Sequence, residues 1–307
     1  MVRNGIHHVT AIAGKARQNL DFYTRTLGLR LVKKTVNFDD PGAYHFYYGD
    51  EAGSPGTILT FFPWEHAAPG RAGSGELQET VFRVPLASIG YWTARLAAQG
   101  VQRGGRFGET LLTFRDPDGM RLALVGLPGI EAEPAWDNGE IPVEHAIRGF
   151  HSVSLLISDA ARTGAILSDV FGFAAAGREG ETHRFQAEGT AVGGIVDLRV
   201  AAGVGPARLG RGSVHHLAFR AADDAAEFAM VRRLAENHGL QTTEQKDRDY
   251  FRSVYFREPG HVLFEIATDV PGFAVNEPLA SLGSALKLPR FLEGHRAEIE
   301  AALPALA

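Results

Sequence analysis

The feature that most restricts how this chain can fold is an internal repeat. Residues 5–32, GIHHVTAIAGKARQNLDFYTRTLGLRLV, align without a gap on residues 149–176, GFHSVSLLISDAARTGAILSDVFGFAAA. His7 falls on His151, Val9 on Val153 and Gly28 on Gly172. Each copy opens as a β-rich run, continues as an amphipathic helix and stops at a glycine. Glycine suits the end of a helix because it takes the left-handed conformation without steric penalty. Two further units follow the plan. One starts near Glu79-Thr80-Val81-Phe82, passes a helix around 89–98 and turns at Gly100. The other starts at Val214-His215-His216-Leu217, with a helix around 224–237 and a turn at Gly239. Short β-type runs follow each helix, such as 44–48 and 57–62. The turn signals Asp116-Pro117-Asp118-Gly119 and Glu258-Pro259-Gly260 precede the apolar runs 122–125 and 262–266. Strand, helix, then about three strands is therefore predicted four times.

Four such units resemble the vicinal-oxygen-chelate superfamily, also called the glyoxalase/bleomycin-resistance/dioxygenase fold. The resemblance implies an α+β architecture in which four βαβββ modules form two cupped half-barrels, one of them closed around a metal. The first pair of modules in sequence occupies 1–127 and the second pair 146–275. A linker rich in Pro, Glu and Gly, 128–144, separates them. The remainder, 276–307, is expected to be a C-terminal helical extension, broken at Pro289 and packed on the outside.

Composition narrows the chemistry. A chain of 307 residues allows roughly two domains of ordinary size. There is no cysteine, which excludes thiolate nucleophiles, disulfides, Fe–S clusters and cysteine-type zinc sites. A net charge of −5 argues against non-specific attraction to nucleic acid or an anionic membrane. No apolar run approaches the roughly 20 residues of a membrane helix. The start MVRNGIHHVT lacks a basic-then-apolar signal pattern, so a cytoplasmic location is expected.

The repeat selects among the twelve histidines. A ligand must point into the cup, and side chains alternate along a strand, so one of two adjacent histidines can do so. The first strands align as His7-His8, Glu79-Thr80, His151-Ser152 and His215-His216. If the second position faces inward, modules one and four present His8 and His216, while modules two and three present Thr80 and Ser152 and hold no metal. Module one would then pair with module four. Aligned on their turn glycines, the last strands place Glu265 opposite Phe61 of module one and Leu124 of module two. A carboxylate among apolar neighbours is costly unless a cation sits beside it. The plainer reading, an edge-strand carboxylate facing solvent, fits those neighbours less well. His8, His216 and Glu265 form a two-histidine, one-carboxylate facial triad with about three open positions. That arrangement suits Fe(II); Mn(II) is chemically acceptable, and Zn(II) prefers four-coordinate geometry. The rival set is His151, His216 and Glu265, whose spacing is similar to that of two-domain extradiol dioxygenases. The gapless alignment puts His151 in register with His7, on the other face of the strand, and so favours His8.

Three stretches resemble the ring-cleaving dioxygenases that act on hydroquinones, a branch of the same superfamily. They are 31–48 (LVKKTVNFDDPGAYHFYY), 56–64 (GTILTFFPW) and 247–272 (DRDYFRSVYFREPGHVLFEIATDVPG), and the similarity spans nearly the whole chain. The resemblance implies the same metal ligands, His8, His216 and Glu265, and supporting groups at His7, His215, Arg248 and Tyr255. Tyr255 would donate a hydrogen bond to a bound phenolate, Arg248 would stabilise oxyanion charge, and His7 or His215 would act as acid or base. Each also has a structural reading: a backbone-bonded histidine, a surface ion pair of Arg248 with Asp247 or Asp249, a strand tyrosine. The implied function is an Fe(II)-dependent, extradiol-type dioxygenase of hydroquinone-like or catecholic phenols, inserting both atoms of O2, and a homo-oligomer. The competing functions are a metal-dependent glyoxalase-type isomerase or lyase and a non-enzymatic aromatic-ligand binding (resistance) protein. The first would need a fourth ligand where Phe61 aligns; the second would lack the ligand set. His45, His66, His145, His183, His238, His261 and His295 read as surface or satisfied histidines. Phe46, Tyr48, Phe61 and Phe62 read either as cavity lining or as plain core.

Overall fold

Every unit of the repeat forms the strand–helix–three-strand pattern. The computed structural model describes residues 4–306. Unit one has β1 Ile6–Ala13, α1 Ala16–Asp21, β2 Arg30–Asn37, β3 Asp40–Gly49 and β4 Ile58–Pro63. Unit two has β5 Glu76–Pro85, α2 Ile89–Arg95, β6 Gln102–Arg106, β7 Glu109–Arg115 and β8 Arg121–Leu127. Unit three has β9 Phe150–Ile157, α3 Ala161–Asp169, β10 Phe173–Glu179, β11 Thr182–Ala187 and β12 Ile195–Val200. Unit four has β13 Val214–Ala221, α4 Asp224–His238, β14 Lys246–Asp247, β15 Phe251–Arg257 and β16 Leu263–Pro271. The aligned glycines Gly28 and Gly172 adopt φ +73° and +70°, the backbone a side chain would disfavour. Helix α4 is capped at its start by Asp223, whose carboxylate accepts the Ala226 N–H at 2.9 Å.

Two curled eight-stranded sheets result, ordered β14-β15-β16-β13-β1-β4-β3-β2 and β10-β11-β12-β9-β5-β8-β7-β6. Unit one joins unit four, and unit two joins unit three. In every unit the first strand pairs parallel with the last, and two units meet through antiparallel pairing of their first strands, β1 with β13 and β5 with β9. The central strands β1 and β9 are buried along their whole length, their polar residues included.

The turns before the last strands tie the sheets together. Asp116 accepts the Met120 N–H at 2.8 Å within its turn, and its other oxygen accepts the Tyr23 hydroxyl of unit one at 3.0 Å. Glu258 does the same in the other half: it accepts the Val262 N–H at 2.9 Å and the Thr163 hydroxyl of unit three at 2.5 Å. Phe171 stacks on Phe219 with ring centroids 4.0 Å apart, linking unit three to unit four. Such aromatic pairs contribute about 0.5–1.5 kcal/mol beyond area burial. The extension after Pro271 is mostly short 3-10 turns, with one helix, α5 Arg296–Ala302, beyond Pro289. It is anchored by buried Lys33, which bonds both Asn276 and Glu277. Among the described residues, no helix is long and apolar enough to cross a membrane.

Candidate metal centre

The cup of the first sheet brings His8 and His216 against Glu265. His8 Nε2 lies 3.1 Å from Glu265 Oε2, His216 Nε2 lies 2.9 Å from the same oxygen, and the two nitrogens are 3.4 Å apart. All three side chains are buried. Among the described residues, this is the one cluster of three metal-ligating side chains. His151 is elsewhere: it lies in the second sheet, bonded to Glu109 and Ser152 at 3.0 Å each.

The backbone explains how adjacent histidines cooperate. Along β1, Ile6 pairs with Phe219 and His8 with Ala218, so His7 is an extra residue without a partner. Along β13, Thr10 pairs with His216 and Ala11 with Val214, so His215 is the extra residue there. A β-bulge of this kind re-aims side chains beside a site. Each bulged histidine turns its Nδ1 onto the Nδ1 of its neighbour, His7 to His8 at 2.9 Å and His215 to His216 at 2.8 Å. If His8 and His216 present Nε2 lone pairs to the cup, their Nδ1–H groups donate outward to His7 and His215, which fixes ring and tautomer.

The electrostatics match. Burial, reinforced by His8, pushes His7 well below the ordinary histidine range; burial and His216 push His215 down to about 3. Burial also lowers His216. Burial alone would raise Glu265, yet His8 and His216 hold its carboxyl well below the usual range. In the form that binds a metal, Nε2 lone pairs would meet carboxylate lone pairs, acceptors facing acceptors, and neither Glu265 oxygen has a hydrogen-bond partner. Three lone-pair donors converging in a dry site fit a divalent cation. Ligand atoms in neighbouring octahedral positions, with bonds of about 2.1 Å, stand about 3 Å apart.

Above the triad lies a cavity of about 360 Å³, lined by Thr10, Asn37, Phe38, His45, Tyr47, Phe62, Trp64, Phe251, Tyr255 and the histidines. Of the proposed supporting groups, His215, Arg248 and Tyr255 line it; His7 sits behind His8. Tyr255 packs against the His216 ring at 5.6 Å, and its hydroxyl accepts from Ser253 at 3.2 Å. Burial and Glu265 push the Tyr255 phenol up. The Arg248 guanidinium stands 5.7 Å from the Tyr255 ring. Its ion-pair partner is Asp39, at 3.3 Å across the cavity mouth, and not Asp247 or Asp249. Burial works against the Arg248 charge, but Tyr255 and Asp39 outweigh it and its pKa rises.

Several positions depart from the sequence reading, most of them by one residue. Opposite Thr10 the last strand of unit one presents Thr60, as the strand of unit four presents Glu265 opposite Ala218. The counterpart of Glu265 is therefore Thr60, and Phe61 is core, packed on Tyr23 at 4.5 Å. Phe46 and Tyr48 are core as well, leaving Phe62 as the member of that set in the cavity. In unit two a bulge at Gln78 makes Glu79 the counterpart of His8, in place of Thr80, and Ala123 rather than Leu124 then falls opposite Val81. Turn-based alignment sees neither a one-residue bulge, as in unit two, nor a turn one residue shorter, as before Thr60. His45 was missed outright. It is buried on the cavity wall, and the signal was available: with Phe46 and Tyr48 in the core, alternation turns His45 and Tyr47 into the cup.

The second cup holds ions of another kind. Glu79, Ser152 and Asp197 occupy the positions of His8, His216 and Glu265. Arg106 reaches both Glu79 and Asp197, the latter at 3.7 Å. Arg184 binds Asp197 through two nitrogens at 2.8 and 3.0 Å and Glu109 at 2.8 Å. Burial opposes the Glu109 charge, yet His151 and Arg184 hold it down at about 2.

Comparisons with known proteins agree with this architecture. The model of the Glyoxalase/Bleomycin resistance protein/Dioxygenase superfamily matches residues 5–124 and 149–266. The chain is 44% identical over 301 residues to MhqO of Bacillus subtilis (strain 168), whose name assigns it provisionally as a ring-cleaving dioxygenase; the match covers 97% of this chain and 95% of that one. It is 32% identical to the chlorohydroquinone/hydroquinone 1,2-dioxygenase of Sphingobium indicum, covering 96% and 94%. A crystal structure from Bacillus subtilis, titled provisionally as a dioxygenase, superposes with a TM-score of 0.93 at 43% identity, covering 99% and 97%. Glyoxalase I from Zea mays shares the fold, with a TM-score of 0.66 at 12% identity over 87% of this chain and 93% of that one.

Proposed function

The chain belongs to the glyoxalase/bleomycin resistance protein/dioxygenase superfamily, and from that premise we propose that it is an Fe(II)-dependent, extradiol-type ring-cleaving dioxygenase of hydroquinone-like phenols. Relatives named as ring-cleaving dioxygenases support an oxygenase; the metal and the cleavage type are the further step. The observation that carries it is the convergence of His8, His216 and Glu265, with both carboxylate oxygens unpartnered, at the floor of an aromatic cavity. Bound there, Fe(II) would supply open coordination positions for a phenolic oxygen and O2; Mn(II) suits the same donors.

The protein's own groups do the rest. A benzene-sized ligand needs roughly 150 Å³, so a cavity of about 360 Å³ accepts one substituted ring. Phe62, Trp64 and Phe251 give it apolar walls. Tyr255, kept protonated by burial, carries a hydroxyl that can donate to a substrate oxygen with Ser253 at 3.2 Å as the donor to it. Arg248 brings a fixed positive charge toward a phenolate. A glyoxalase-type isomerase would use a further carboxylate from unit one, and Thr60, at that position, is a hydroxyl already bonded to His45 and Thr10.

The test is direct. Protein purified without air and loaded with Fe(II) should consume one O2 per substituted hydroquinone, giving a ring-opened product that contains both oxygen atoms. No O2 uptake across a panel of hydroquinones and catechols would overturn the reading.

A further inference from the structure

A chain of four buried hydrogen-bonding side chains runs along the cavity wall. Tyr47 Oη lies 3.0 Å from His45 Nδ1, His45 Nε2 lies 2.9 Å from Thr60 Oγ1, and Thr60 Oγ1 lies 2.9 Å from Thr10 Oγ1. Each hydroxyl has one hydrogen, so the links of the chain share one direction. In the direction that leaves Thr10 free to donate into the cavity, Thr60 gives its hydrogen to Thr10 and accepts from His45. His45 then carries its proton on Nε2. A neutral imidazole then has a lone pair on Nδ1, which accepts the Tyr47 hydroxyl. Thr10 receives a hydrogen bond from behind, so its own hydrogen is free.

Thr10 lines the cavity and pairs with His216 across β1 and β13. It is two residues beyond His8 on the same strand face. Its hydrogen is thus delivered beside the triad. His45 is wedged between Tyr47 and Phe62, with ring centroids 4.0 and 4.4 Å away, so the imidazole cannot turn over freely.

We propose that His45 is a positioning residue: through Thr60 it polarises the Thr10 hydroxyl and turns it to donate to an anionic phenolic oxygen bound beside His8 and His216. Thr60 is the pseudo-equivalent of Glu265, so the slot that holds a carboxylate in unit four holds, in unit one, the link that aims a neutral donor. The substrate class rests on the function proposed above; the direction of the chain does not.

Two measurements test it. In metal-free protein carrying 15N-labelled imidazoles, His45 should be the Nε2–H tautomer, with Nδ1 unprotonated; an Nδ1–H signal overturns the chain. In the Fe(II)-loaded protein, His45→Phe keeps the aromatic packing and removes both hydrogen bonds. It should weaken anaerobic hydroquinone binding about tenfold, with iron content unchanged, since one neutral hydrogen bond is worth about that factor. His45→Gln supplies one acceptor and one donor and should restore binding to within about threefold. Phe and Gln variants that behave alike, or a Phe variant within twofold of the parent, would refute the positioning role. If the parent binds no hydroquinone, the functional reading fails, and the tautomer measurement still decides the chain.

Discussion

The two cups share one backbone and solve one electrostatic problem in two ways. Each has two bulges in its central strand pairing and a buried carboxylate on the last strand of one unit, Glu265 of unit four in one and Asp197 of unit three in the other. Around Asp197 stand two guanidinium groups that arrive on long side chains and satisfy the carboxylate within the protein. Around Glu265 stand two imidazoles, and neither carboxylate oxygen has a hydrogen-bond partner. The same fold thus makes a closed ionic lock where Arg106 and Arg184 reach the carboxylate from other strands, and leaves the carboxylate without such a partner where imidazoles face it. Openness follows from side-chain length and charge, not from the sheet.

Changing either cup separates the two roles. The largest effect is expected from His8→Ala or Glu265→Gln, which should reduce both bound iron and O2 uptake to background while leaving the unfolding midpoint of the metal-free protein nearly unchanged; iron analysis of the purified variants reads this. Asp197→Asn should do the converse. It leaves the buried Arg184 and the half-buried Arg106 short of a partner, and breaking a buried ion pair costs about 3–5 kcal/mol. Urea unfolding should show that loss with iron stoichiometry intact; iron loss in Asp197→Asn would mean that the second cup supports the metal.

Smaller effects test the details of the first cup. His215→Ala removes the partner of His216 Nδ1 and should weaken iron affinity about 10–100-fold, read by competition with a chelator. Tyr255→Phe should lower kcat about tenfold with iron content unchanged, and an unaltered kcat would return Tyr255 to a packing role. Asp39→Asn should change KM by no more than about threefold, because the Arg248–Asp39 pair joins a mostly buried arginine to an exposed carboxylate.

What the sequence by itself determined was local and periodic. The four units and their turn glycines follow from periodicity and turn chemistry, and alternation narrows each histidine pair to one inward member; these act over a few residues. The carboxylate of unit three that matches Glu265, Asp197, went unread. The tertiary structure decided what depends on a partner strand. Bulges at His7, Gln78, His151 and His215 appear only once β1 meets β13 and β5 meets β9, and each shifts the register by one residue. That shift moved the metal-free position of unit two to Glu79 and brought His7 and His215 onto His8 and His216. Thr60 takes the place of Phe61 because the turn of unit one is one residue shorter between its glycine and the matching position. His45, read from sequence as an ordinary satisfied histidine, gained its place because Thr60 and Thr10, fifteen and thirty-five residues away, close a chain only after β3, β4 and β1 lie side by side. Arg248 found Asp39 for the same reason: a long charged side chain pairs with whatever folding places across the cavity mouth, and no local pattern records it.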